Sequence, residues 1–273
     1  MDFTSSKPRL RRVIIVLALI LCGANSIAAP YVAQPPERLV YTFAWSPFFK
    51  VGRAEVTLQE RPADQTAAPQ SREIVVSVAG RTNAFIDALW RYRLTAFGVV
   101  PLQPLEPGLI DILESEKRKV KRTRTTYRDG EFLTVRNKQG AVSETRIDAP
   151  NGHGMLSTLY DLLSRDMAIG DRYKFETIAG RSRYEVVFDV LKHDRIKLEG
   201  QKIDAVKLRV SGRDLTDPGD TAKHRITNVW VSRERPRRLL QAVSRLWIGT
   251  VKVRLQTIEP LDDEAPRVAT AGD

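Results

Sequence analysis

The chain has 273 residues, 42% of them hydrophobic and 28% charged, and carries a formal net charge of +11. That much apolar material can bury a sizeable core in one large domain or two small ones, without disulfide staples. The surplus of Lys and Arg draws polyanions, whether nucleic acid, anionic lipid or acidic polymer, and compartment decides among them.

Residues 1–28 point to a compartment. Lys7, Arg9, Arg11 and Arg12 precede nine consecutive apolar residues, VIIVLALIL (13–21), and then GANSIAAP, with Ser26 and Ala28 as the small residues of a signal-peptidase site. This pattern predicts a cleavable export signal cut after Ala28, and the apolar stretch is short of the roughly 20 residues a spanning helix needs. Cys22 is the only cysteine, and Leu21 before it is not the small residue that lipidation requires. The mature chain is therefore expected to carry no cysteine, no disulfide and no transmembrane span, and to work in the periplasm, peripheral to a membrane if it touches one. Nucleic acid is not an expected partner there.

After a flexible segment at 29–36, a single β-rich domain is expected over 37–259. RLVYTFAW (38–45) and VGRAEVTLQE (51–60) alternate with period two and read as a hairpin across SPFF. RPADQTAAPQS (61–71) reads as a loop, REIVVSVAG (72–80) as a strand, TNAFIDALW (82–90) as a short helix or turn, and RYRLTAFGVV (91–100) as a strand. PLQPLEPG (101–108) is an irregular connection. Residues 115–148 predict two or three strands, with turns at Asp129-Gly130 and Gln139-Gly140. The one convincing helix begins at Asn151 and carries Met155, Leu159, Leu162 and Leu163 at helical spacing, with Gly170 marking its end. Strands follow at 172–178, 182–192, 194–212, 223–234, 237–248 and 250–259, with a turn at Asp217-Pro218-Gly219. Residues 260–273 read as a disordered tail. The expected fold is mainly β: a curved antiparallel sheet or open β-barrel of about ten to twelve strands with one packed α-helix.

The run ESEKRKVKRTRTTYR (114–128) is the strongest charge feature. Lys117, Arg118, Lys119, Lys121, Arg122 and Arg124 cannot have one face in a dry core. Two readings stand: a solvated edge strand whose charges pair across the sheet with Glu114, Glu116, Glu131 or Glu144, or a surface for an anionic ligand. His153, His193 and His224 lack metal-pair spacing, and no nucleophile elbow, P-loop or GxGxxG occurs, so no catalytic residue, metal or cofactor is expected. Tyr41, Phe43, Trp45, Phe48 and Phe49 cluster early. They predict either core packing or a concave apolar cavity, and Phe48-Phe49 beside Lys50 predicts a membrane-touching tip.

Three stretches together carry a resemblance: ERLVYTFAWSPFFKVGRAEVTL (37–58), GMLSTLYDLLSRDMAIGDRYKF (154–175) and VWVSRERPRRLLQAVSRLWIGTVKVRLQ (229–256). They resemble the bacterial domain-of-unknown-function family 3108. The resemblance implies an exported, β-rich protein with no established activity. It marks Gly52, Trp230 and Gly249 as fold positions, with Tyr41 and Trp45 beside them on a possible ligand face. The expectation is a non-enzymatic protein holding a lipid-like ligand or anionic envelope component. The alternatives are a factor that binds another envelope protein through a sheet edge and, behind it, an enzyme acting on an envelope polymer.

Overall fold

Asp129-Gly130 and Gln139-Gly140 close tight hairpins, with φ between 52° and 89° at all four residues. Two successive left-handed residues are what a two-residue hairpin needs to match the twist of its strands. Lys117 (φ 55°) and Glu199-Gly200 (φ 48° and 87°) turn the chain in the same region of backbone space. The structure, a computed structural model, describes residues 33–45, 49–63, 71–217, 227–246 and 249–261. The expected export signal (1–28) with Cys22, Phe48, most of the 61–71 loop, Pro218-Gly219, His224, Trp247 and the tail after 261 lie outside the described residues.

Among the described residues there are fifteen strands and two helices. The strands are β1 (Glu37–Trp45), β2 (Phe49–Pro62), β3 (Arg72–Thr82), β4 (Tyr92–Pro101), β5 (Leu109–Glu116), β6 (Lys119–Arg128), β7 (Glu131–Lys138) and β8 (Ala141–Asp148). After these come β9 (His153–Gly154), β10 (Arg172–Ala179), β11 (Ser182–Leu198), β12 (Gln201–Asp214), β13 (Thr227–Ser232), β14 (Leu239–Leu246) and β15 (Gly249–Pro260). The helices are α1 (Ala84–Trp90) and α2 (Met155–Ser164).

The count corrects the expected ten to twelve strands and single helix. Residues 109–148 hold four strands, because the basic run is not one strand. Its first residues end β5, Lys117-Arg118 make the turn, and β6 follows. A further boundary falls at Glu199-Gly200, so that β11 runs through the break expected at residue 193.

All strands form one sheet, in the order β8 to β1 and then β15 down to β9. Neighbours are antiparallel except β9 and β10. The first and last strands lie side by side in the middle: Tyr41 pairs with Leu255 and Ala54. The two arms then curl toward each other and meet through side chains. Thr134 Oγ1 donates to the Gly180 carbonyl (2.8 Å) and Arg181 Nε to Thr145 Oγ1 (2.9 Å). Phe132, Ala149 and Ile178 form a small apolar cluster at this seam. Among the described residues no ladder joins the arms, and β8 is an edge of the sheet. The sheet is an open, barrel-like curl.

α2 fills the curl. All ten of its residues are buried, and Leu156, Leu159, Leu162 and Leu163 belong to the main core with Tyr41, Val56, Val76, Val100, Leu208 and Leu255. The concave face is thus packed where α2 lies. Gly98 of β4 permits the approach, since a Cβ there would sit 2.1 Å from Leu156 Cδ1. Thr158 and Thr177 share a hydrogen bond (2.8 Å) between α2 and β10.

α2 stops at Ser164, before the end expected at Gly170. Arg237 reaches in from the β13–β14 connection and donates to the Leu163 and Arg165 carbonyls (3.1 and 2.7 Å), which would otherwise be orphaned at the helix end. A second tie fastens the start of β1. Glu37, 2% exposed, receives Nε and Nη2 of Arg238 at 2.9 and 2.7 Å. Gln34, within the segment read as flexible, is itself buried and donates to Glu37 (2.8 Å).

Gly52 sits beside a bulge, where Phe43 opposes Gly52 but Ala44 opposes Lys50. A Cβ at Gly52 would lie 2.4 Å from the Arg81 carbonyl oxygen, a backbone atom with little room to move. Gly52→Ala is expected to cost about 2 kcal/mol through forced separation of β2 and β3. Chemical denaturation of the variant checks this; an unchanged midpoint would show that the strands yield freely.

Candidate functional site: a lysine-lined rim

Period-two alternation divides the basic hairpin between the two faces of the sheet. Thr125 is buried on the concave face, and Lys119, Lys121 and Thr123 share its parity. Arg122 and Arg124 therefore stand on the convex face, where both are exposed. Arg122 grips Asp111 with two nitrogens (Nε to Oδ1 3.0 Å, Nη2 to Oδ2 2.7 Å), and this pairing raises its already high pKa. β6 is paired on both sides, to β5 and β7, so the reading of an edge strand is corrected: the edge is β8. Of the acids proposed as partners, Glu114 pairs with Lys121, while Glu131 pairs with Arg146.

The concave lysines lie at the rim where the β5–β6 and β7–β8 turns emerge. With Lys138, which faces Lys121 across the ladder, they line a cleft of about 30 Å³ together with Tyr92, Glu114, Glu116 and Val120. The cleft has room for a few waters or a small anionic group, and no room for an acyl chain. Its acids are already engaged. Glu114 takes Lys121 and the Tyr92 hydroxyl (3.1 Å), and Glu116 takes the Trp90 indole N–H (3.2 Å). Burial, then the charge of Glu114, pushes the Tyr92 phenol above its usual range, so it stays a donor. Among the described residues Lys119 and Lys138 make no ion pair. An anion in the cleft would give both a partner.

The other positions singled out in the sequence lie elsewhere. Tyr41 is buried on the concave face and donates to the Leu239 carbonyl (3.0 Å), a core role. Trp45 lies at the rim against Gly249 (φ 118°), where a Cβ would meet the indole nitrogen at 3.0 Å. Trp230 has the parity opposite to the buried Val229 and Val231, so it lies on the convex face and away from any concave ligand. There its N–H donates to Asp194 (2.9 Å), which holds that carboxyl below its usual range, and Lys207 sits 5.0 Å from its ring centroid.

A second polar cluster was not legible in the sequence. Asp161, in mid-α2, is buried and receives His153 Nε2 (3.3 Å) and Arg165 Nε. Burial pushes its carboxyl up, but the His153 and Arg165 hydrogen bonds outweigh it and hold the pKa below the usual value. Arg165 also stacks on Tyr173 and Phe175, 5.3 Å from each ring centroid. The spacing Asp161–Arg165 is an ordinary helix pair, and only the fold adds His153. No group of three His, Cys, Asp or Glu among the described residues could hold a metal, and no helix there is long and apolar enough to cross a membrane.

An open β-barrel-like curl plugged by a helix is the class this chain defines. The sequence pattern of DUF3108, described as a protein of unknown function, matches residues 40–256, and the chain belongs to that family. In fold it is similar to a β-barrel-like protein of the domain-of-unknown-function family DUF1849 from Brucella abortus, with a TM-score of 0.59 and 10% identity over 85% of this chain and 100% of that one. A weaker likeness, TM-score 0.25 and 11% identity over 94% of this chain and 99% of the other, is to the lipoprotein LppX of Mycobacterium tuberculosis, and it carries no argument. No curated protein matches the chain.

Proposed function

We propose that this is an exported, non-enzymatic binding protein of the cell envelope, and that it takes the anionic head of a lipid-like envelope component at the Lys119–Lys121–Lys138 cleft. The observation that carries this reading is that Lys119 and Lys138, lining one small cleft at the mouth of the curl, have no acid partner among the described residues. Lysine ammonium groups present only donors, which suits phosphate or carboxylate. The packing of α2 keeps the apolar part of such a ligand at the rim and out of the interior. The test is native mass spectrometry of protein purified from its own envelope, followed by lipid extraction. An anionic amphiphile is expected to co-purify, and Lys119→Gln/Lys121→Gln/Lys138→Gln is expected to lower its amount by about tenfold or more.

A second reading has its own support. β8 is an edge strand whose Ala141, Val142, Ser143 and Glu144 are all exposed, and it could accept a strand from another envelope protein. Co-purification of a protein in place of any lipid would decide for it.

A further inference from the structure

We infer that the rim formed by the β1–β2 hairpin and α1 is a docking surface for an anionic phospholipid bilayer. Four large apolar side chains stand exposed there: Trp45 (42%), Phe49 (60%), Phe85 (68%) and Leu89 (69%). Soluble surfaces carry such residues singly, and a cluster marks a contact site. They are neighbours in space. Trp45 faces Phe49 across the hairpin. Asn83 caps α1 by accepting from the Ile86 N–H (2.9 Å), and its own backbone N–H donates to the Val51 carbonyl (3.0 Å), which pins the helix to β2. Phe85 and Leu89, four residues apart, then share one face of α1, and none of that helix's residues is buried.

The charges around this patch select the partner. Arg53, Arg81 and Arg93 lie side by side across β2, β3 and β4. Arg53 is paired with Glu55 and Arg93 with Asp87, but Arg81 between them has no acid among the described residues. Lys50, Arg91, Lys117 and Arg118 are exposed on the same rim and likewise make no ion pair among the described residues. The Lys117 N–H donates to the Arg91 carbonyl (2.9 Å), so the β5–β6 turn continues the surface. A protein partner would need matching acids and a fitted apolar surface. A bilayer with anionic headgroups supplies both charge and apolar depth without fitting, and aromatic and leucine side chains enter its interface while Lys and Arg meet the phosphates.

This inference rests on the proposed function for the compartment alone, and the side chains it uses differ from those of the lysine cleft, which adjoins it at the β5–β6 turn. The test is sedimentation of the purified protein with vesicles of phosphatidylcholine alone or with one-third phosphatidylglycerol. Association is expected only with the anionic vesicles, weakening as salt rises. Phe85→Ser/Leu89→Ser is expected to reduce it by about tenfold or more, and Arg81→Gln/Arg91→Gln by about thirtyfold, since each cation near the surface contributes about 1 kcal/mol of attraction. Both residues of the first pair are exposed, so thermal unfolding should be unchanged. Equal sedimentation with neutral vesicles, or binding unaltered by either variant, overturns the inference. So does a dimer in analytical ultracentrifugation that the Phe85/Leu89 variant dissolves, without vesicle binding. Loss of lipid co-purification with vesicle docking intact would instead sink the cleft reading and leave this one standing.

Discussion

Leu162→Ala is expected to destabilise the protein by about 3–4 kcal/mol, the range for a leucine deleted from a rigid core. Leu162 is fully buried in the main cluster. Its helix is held on several sides: by Gly98 of β4 against Leu156, by Thr177 of β10, and at its end by Arg237. Helix and strands held in this way cannot collapse onto the space vacated by three carbons, so most of the cavity persists. For a domain of this size the loss corresponds to a fall in Tm of about 10 °C. Denaturant midpoints of the variant, with the slope unchanged, measure it. A loss below about 1 kcal/mol would mean that the interior relaxes easily around α2 and that the curl can open to a ligand.

Asp161→Asn is expected to cost about 2–3 kcal/mol at neutral pH. Removing one member of a buried ion pair strands its partners, and the solvent access of Arg165 reduces the usual penalty. The pH dependence gives the mechanism. The folded-state pKa of Asp161 lies below the ordinary aspartate value, because the His153 and Arg165 hydrogen bonds outweigh burial. Its ionised form therefore contributes stability that is complete above that value and is lost as the pH falls through the folded-state pKa. The difference between wild type and variant should shrink as the pH falls from about 5 to below about 4. Unfolding curves in urea across that range check it. A difference that stays flat to the acid end would assign the cost to packing and not to charge.

Much of the fold could be read from local pattern. Alternation at 72–80 marked a strand that is buried on one face and largely solvated on the other, and alternation at 38–45 marked a strand whose second face, with Val40, is also partly covered. Asp129-Gly130 and Gln139-Gly140 announced their turns because glycine tolerates the left-handed backbone. The turn at Lys117 was hidden for the same reason: a lysine at φ 55° gives no such signal, so one hairpin looked like one strand. The end of α2 was also hidden, because its cap is Arg237, more than seventy residues away.

Composition, the export-type leader pattern and the period of the hydrophobic residues belong to the sequence by itself, since each depends on which residues are neighbours along the chain. They determined a basic, β-rich domain with one buried helix. Which charges meet, which face each lysine takes, and which aromatics stand in solvent were decided only by the tertiary structure. Side-chain direction follows from strand boundaries and register, and a shift of one residue sends every side chain to the opposite face. The hairpin turn at Lys117-Arg118 put Lys119 and Lys121 in the mouth of the curl and Arg122 and Arg124 outside it. The pinning of α1 to Lys50 and Val51 brought Phe49 and Phe85 onto one rim.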